Sequence, residues 1–296
     1  MHMSATLQTH LRNFVESRSE FKQLFWEADS LLNVSGHVGA RVDDHLDSEF
    51  IEITPQQRQE MLQSLYVTVK RFKLNWKLMQ AVMVTTGAVI SGSAALAVLN
   101  AGEFVPQDLD IYVTSKNTAT VLVFLLEQGY SVQIPRAAHN TTTDNYMKST
   151  SVTLTLKNEA GDKIDLIAAT EPHVVHAIAQ FHSTCVMNFI SYYGIVCMYP
   201  GWTMRKKGLV KASTEQQVID KYRGRGFDMV FTSEELPGYE PNHMCGRHQC
   251  CPKTERELHD NFTLFIPLEE NGQNIRTEES SKVGWVLDKY CKCDVQ

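Results

Sequence analysis

Cysteine is scarce over most of this chain: none precedes Cys185, and five of the seven lie after residue 244. Seven thiols scattered in this way through 296 residues build no disulfide scaffold. The odd count leaves at least one of them unpaired or metal-bound. An apolar leader is also missing, because residues 1–20 are polar and helix-like, without the hydrophobic stretch of a secretory signal. The expected compartment is therefore reducing and intracellular, cytoplasmic or nuclear. Neither sign of charge dominates: 28 Lys and Arg face 34 Asp and Glu, a net of −6, which gives no overall pull toward nucleic acid. With 16 Gly, 9 Pro and 43% hydrophobic residues, collagen-like, fibrous and largely disordered classes are excluded. The length suits one large or two ordinary domains with a buried core. No internal repeat, low-complexity tract or flexible linker interrupts it.

Residues 78–102 contain no formal charge, and 25 residues suffice to span a bilayer. Their middle, however, reads Thr85-Thr86-Gly87 and then Ser91-Gly92-Ser93, poor content for a lipid-facing helix. The stretch parses instead as a helix end, a short buried strand over 88–90, a tight turn and a new helix over 94–99. No membrane partner is expected.

Helical periodicity runs over residues 4–33 and 54–80, with a polar loop between them. Thr54-Pro55-Gln56-Gln57 supplies an N-cap followed by proline at the first helical position. After residue 85 the pattern mixes short strands with helices. Residues 108–113 alternate as a strand, and 118–128 form a helix closed by Gly129. Residues 136–145 are polar and loop-like. Segments 152–156 and 163–168 read as a hairpin around Asn158-Glu159-Ala160-Gly161. Beyond Thr170 come a short helix (173–180), a stretch of uncertain type (181–200) and a helix over 214–222. The predicted class is α+β: a small mixed sheet with helices, flanked by a helical N-terminal part and an irregular C-terminal lobe. The corresponding divisions are 1–84, 85–170 and 171–296.

The chemistry concentrates in Ser91-Gly92-Ser93, a spacer of fourteen residues, and Asp108-Leu109-Asp110-Ile111-Tyr112-Val113. Carboxylates at i and i+2 of a strand project from one face, where they repel each other unless a counter-charge is present. A divalent cation fits that need, and carboxylate oxygens suit Mg²⁺ or Mn²⁺. The Gly-Ser turn opening a helix offers free backbone N–H groups and the positive end of a dipole, which suits a triphosphate. A third acid, Asp165, sits in the apolar strand Ile164-Asp165-Leu166-Ile167. Beside the first strand it completes a trio able to hold two metal ions and activate a hydroxyl for attack on a phosphate. The plainer alternatives are Asp108 in a turn after Pro106, Asp110 and Asp165 facing solvent, and Ser93 as a helix cap.

The ordered set Gly92-Ser93, Asp108-x-Asp110 and a distant Asp165 resembles the polymerase-β-type nucleotidyltransferase superfamily over roughly residues 85–170. More loosely, the whole chain is similar to uncharacterised nucleotidyltransferase-like proteins of fungi. The resemblance implies that Gly92 and Ser93 bind the triphosphate. It also implies that Asp108, Asp110 and Asp165 hold the metals, with Asp165 helping to deprotonate the acceptor. The implied reaction is Mg²⁺-dependent transfer of a nucleoside monophosphate from an NTP, ATP among them, to a hydroxyl on RNA, protein or a small molecule. The alternative is a catalytically inactive nucleotide- or partner-binding module on the same fold. Residues 181–188 sit where many members carry Phe-Asp-x-Thr…Asn. Here His182 replaces the acid, so no role is carried to that segment.

Two further clusters stand apart. Between residues 205 and 225, seven basic residues face two acids, read either as a solvated face or as a phosphate-binding patch. Tyr192, Tyr193, Tyr199 and Tyr222 nearby read as core residues or as base-stacking platforms. Near the C-terminus, Cys245, His248, Cys250 and Cys251 have the residue types for structural Zn²⁺, with His243 adjoining and Cys291-x-Cys293 able to complete the set. Ordinary thiols and disulfides are the alternatives.

Overall fold

The computed structural model describes residues 38–40, 51–133, 149–170, 172–248, 251–258, 260–269 and 283–288. The expected helix over 4–33, the polar loop over 136–145, Cys250, Cys291 and Cys293 lie outside these residues.

Thr54 and Gln57 cap the first described helix, α1 (Pro55–Arg71), reciprocally. The Thr54 side chain accepts from the Gln57 N–H, and the Gln57 side chain accepts from the Thr54 N–H at 2.9 Å. The single helix expected over 54–80 is in fact two. Phe72 ends α1, Lys73 takes a left-handed conformation (φ 56°), and the Asn75 side chain accepts from the Leu78 N–H at 3.1 Å to start α2 (Trp76–Thr86). The hydrophobic period continues across the break because both helices bury their apolar faces in the same core. What interrupts the helix is local, an asparagine competing for backbone donors. Gly87, in the left-handed region, closes α2.

The described residues form fourteen strands: β1 (Val38–Ala40), β2 (Ile51–Ile53), β3 (Val89–Ser91), β4 (Asp108–Thr114), β5 (Ser131–Val132), β6 (Thr150–Lys157), β7 (Lys163–Ala169), β8 (Asn188–Ile190), β9 (Gly194–Cys197), β10 (Lys207–Leu209), β11 (Asp228–Val230), β12 (Arg256–Glu257), β13 (Leu264–Pro267) and β14 (Gly284–Trp285). Eight form the central sheet in the order β13-β9-β8-β3-β4-β7-β6-β5, all antiparallel except the parallel pair β4/β7. The class is α+β, as the sequence predicts. The sheet takes three of its strands, β8, β9 and β13, from beyond residue 170. Two of them come from the 181–200 stretch that periodicity left open, where short all-buried runs carry no alternation to read.

Between the strands lie α3 (Gly92–Leu99), α4 (Thr118–Glu127), α5 (Val174–Ala179), α6 (Pro200–Thr203) and α7 (Gln216–Arg223). The pleat divides the core in two. Leu109, Ile111, Val113, Ile164 and Leu166 pack with α1, α2 and α4 on one face. Tyr112, Ile167 and Ala169 pack with α5, α7 and β11 on the other. Asp108 and Asp110 share the parity of Tyr112, and Asp165 that of Ile167, so the three acids point to this second face. Among the described residues no helix is long and apolar enough to cross a membrane, and residues 78–102 fold as α2, β3 and α3.

Candidate active site

The turn from β3 into α3 places the first part of the site. Gly92 has φ 63°, and a Cβ on it would overlap the Asp110 Oδ2, so the backbone can come this close to the carboxylate only as glycine. Ser93, in the first turn of α3, is buried, and its hydroxyl has no hydrogen-bond partner among the described residues. Ser91 is the structural member of the motif: its hydroxyl donates to the Asn188 carbonyl at 2.6 Å and ties β3 to β8. The Asn188 amide in turn donates to the Cys185 carbonyl, so the segment once aligned with Phe-Asp-x-Thr…Asn braces the sheet edge of the site.

Strand register then lines up the acids. Ser91 pairs with Asp110, Asp110 with Asp165, and Asp165 with Thr155, one row across four strands. In the next row Asp108 pairs with Lys163. Asp108, Asp110 and Asp165 each offer an oxygen within 4.8 Å of the others, and all three keep partial exposure. Asp165 does not stand on a sheet edge, because β7 lies between β4 and β6.

Two carboxylates this close raise the proton affinity of a third that is buried beside them. The load falls on Asp110, whose pKa is pushed up to about 7 by burial first and then by Asp108 and Asp165, against the pull of Lys163 and Lys221. Lys163 sits on the other two, 2.6 Å from Asp165 and 3.5 Å from Asp108. The Thr155 hydroxyl donates to Asp165 Oδ1 at 2.6 Å, so both oxygens of that carboxylate are oriented. Lys163 and Thr155 were not singled out from the sequence. Thr155 was within reach: with a hairpin turn at 158–162, residue 157 faces 163 and residue 155 faces 165. Lys163 against Asp108 depends on the β4/β7 pairing and was not.

The second face supplies a basic wall. Lys221 in α7 lies close enough to lower the pKa of Asp110, and Lys221 and Lys211 act likewise on His182. Burial is the main cause that brings His182 down to about 4, so its ring is neutral at physiological pH. That ring packs on Tyr222 at 5.3 Å. Much of the remaining basic segment is structural: Lys206 pairs with Glu103, Lys207 with Asp228, and Arg225 lies over Phe104 at 4.3 Å. Tyr199 and Tyr222 are buried core residues, while Tyr192 and Tyr193 are partly exposed.

The Cys/His cluster forms a separate group. His243, Cys245 and Cys251 bring their ligand atoms within 4.8 Å of one another. His248 packs its ring against His243 at 5.4 Å and is not one of this trio. Burial raises the Cys251 thiol, but hydrogen bonds from the Gly246 N–H, His243, the Lys253 backbone and Cys245 outweigh it and bring the pKa to about 6.

No family model and no curated protein matches the chain. Among solved structures, an apo form of a CCA-adding enzyme is similar at 13% identity and a TM-score of 0.35, over 56% of this chain and 44% of that one. The Thermotoga maritima CCA-adding enzyme complexed with tRNA is similar at 15% identity and 0.36, over 58% and 43%. A CCA-adding enzyme with CTP is similar at 13% and 0.34, over 58% and 43%. The chain spans less than half the length of each. The likeness to fungal proteins has no counterpart among these matches. Overlap this slight carries no argument about activity, so what the chain does rests on the chemistry of its own acids, lysine and Gly-Ser turn.

Proposed function

We propose that this protein is an Mg²⁺- or Mn²⁺-dependent nucleotidyltransferase that moves a nucleoside monophosphate from an NTP to a hydroxyl acceptor and releases pyrophosphate. The observation that carries this reading is the convergence of Asp108, Asp110 and Asp165 on one sheet face, with the Gly92 backbone against Asp110. The donor set fits hard divalent cations: carboxylate oxygens only, clustered at a partly open edge. Bound there, such ions neutralise charge on the transferring phosphoryl group and lower the pKa of an attacking hydroxyl. Gly92 lets the α3 amides approach a phosphate, and the Ser93 hydroxyl, unpartnered among the described residues, supplies a further donor. Asp165, oriented by Thr155, would help to take the acceptor's proton. Lys221 and Lys211 add positive charge on the facing side.

A second reading is favoured by one observation. Lys163 already sits between Asp108 and Asp165, so these two acids have a counter-charge without metal. A module that binds a nucleotide or partner without turnover needs no more than this.

Pyrophosphate release separates the two. Wild type and the Asp108→Ala/Asp110→Ala variant are incubated with the four NTPs and Mg²⁺ or Mn²⁺, with and without RNA or extracted protein. Release by wild type alone is the expected result, and the stimulating fraction identifies the acceptor class. Equal signals from the two proteins, with ATP still bound, overturn the transferase reading in favour of the binding module.

A further inference from the structure

Between Glu235 and Arg256 the described residues form no helix and no strand, yet His243, His248, Cys251 and Thr254 are all buried. Polar side chains buried in irregular chain require strong local partners. The three best placed to share one are His243, Cys245 and Cys251.

We infer that His243, Cys245 and Cys251 bind a structural zinc ion, separate from the carboxylate site, that fastens this irregular segment. Three geometric observations support it. The Cys245 and Cys251 sulfurs are 3.6 Å apart. Two thiolates bound tetrahedrally to one zinc at ~2.3 Å are separated by about 3.7 Å. A disulfide would bring the sulfurs to about 2.05 Å. The His243 Nδ1 donates to the Glu240 carbonyl at 2.6 Å, so Nε2 is the ring nitrogen that would ligate the ion. Zinc-bound histidines are oriented in this way, with the second nitrogen held by a carbonyl. Finally, the Gly246 N–H donates to Cys251 Sγ at 3.3 Å, from a turn in which Gly246 has φ 77°. Backbone donors of this kind orient a ligating sulfur. The trio supplies three ligands, and a fourth from outside it closes the tetrahedron.

Among the described residues this set has His243 where the sequence reading has His248, and Cys250 of that reading lies outside them. Zinc binding replaces the two thiol protons, which pass to solvent, and involves no redox step. The segment leads directly into β12, where Arg256 donates to the Met198 carbonyl at 3.0 Å, so the proposed ion organises the approach to that contact with the sheet region.

The test measures zinc in protein purified under reducing conditions, without added metal or a histidine tag. One zinc per chain is expected in the wild type and in Asp108→Ala/Asp110→Ala, and almost none in Cys245→Ser/Cys251→Ser. Titration of wild type with a mercurial, which does not depend on a variant folding, is expected to release zinc as thiols are modified. Cobalt(II) exchange is expected to give the intense visible bands of a tetrahedral thiolate site. Wild type that stays zinc-free after reconstitution overturns the assignment. So does zinc undiminished in the double-serine variant, or a Cys245–Cys251 disulfide found by mass spectrometry in freshly isolated protein.

Discussion

At the scale of the residue, Asp110 concentrates the conflict on which the site is built. Its carboxyl titrates near 7 because burial and two neighbouring acids oppose its charge. The unfolded chain releases the same proton near the ordinary value of 3.8. The metal-free native state therefore binds more protons than the unfolded state between those limits. Linkage makes this group's contribution to stability fall as pH rises through the window, the reverse of an ion-paired aspartate. His182, depressed to about 4 by burial and two lysines, works the other way, adding stability as pH climbs toward its ordinary 6.5. A comparison of variants separates the two. Thermal melts in EDTA from pH 5 to pH 8 are expected to show wild type losing stability relative to Asp110→Asn. Saturating Mg²⁺ is expected to reverse the ranking at the alkaline end, because the cation needs the ionised oxygen. Gly92 carries the second residue-scale prediction. Alanine there costs about 1–2 kcal/mol for the left-handed backbone alone and also displaces the Asp110 carboxylate. Gly92→Ala should lower the urea midpoint and weaken Mg²⁺ binding by calorimetry together. A loss of stability with Mg²⁺ affinity intact would show that the close approach is not what shapes the site.

At the scale of the element, the parallel pairing of β4 with β7 is the decisive contact. It sets Asp110 beside Asp165 and Asp108 beside Lys163, so the strands carry three acids and one base in a two-by-two block. Like charges directly opposite one another destabilise a sheet. In the metal-free protein the Lys163 ammonium offsets that repulsion through Asp108 and Asp165. Lys163→Met is expected to lower the melting temperature in EDTA, and to gain more than wild type when Mg²⁺ is added. An equal gain in both proteins would mean that the lysine is a solvated surface partner. The same variant bears on catalysis, since Lys163 must yield Asp165 if that carboxylate is to accept a proton.

At the scale of the whole molecule, the last described strands are held to the sheet region by a buried arginine. Arg256 donates to both Asp260 oxygens and to the Met198 carbonyl, and its guanidinium lies over Tyr199 at 4.9 Å. Trp285, from β14, donates to the Tyr199 hydroxyl at 3.0 Å. Removing one member of such a pair leaves the other charge buried and unmatched, a loss of about 3–5 kcal/mol. Arg256→Ala is expected to lose that much in urea unfolding. A loss below 1 kcal/mol, the value of an exposed pair, would show that Asp260 finds solvent instead.

Short-range pattern carried much of the site. The alternation of Leu109, Ile111 and Val113 determined which face of β4 is wholly apolar, and with it that Asp108 and Asp110 share the other. The capping residues Thr54 to Gln57 and the hairpin turn after Asn158 were equally local, and the hairpin register also implied Thr155 opposite Asp165. The sequence by itself thus determined the strands β3, β4, β6 and β7 and the three acids that two of them carry. Tertiary structure decided that β7 lies beside β4, that Lys163 occupies the space between two of the acids, and that β8, β9 and β13 continue the sheet. It also decided that His243 rather than His248 joins Cys245 and Cys251. These outcomes depend on which distant segments bury one another's apolar faces, an energy summed over the whole core. Periodicity and spacing record only what a residue shares with its near neighbours along the chain.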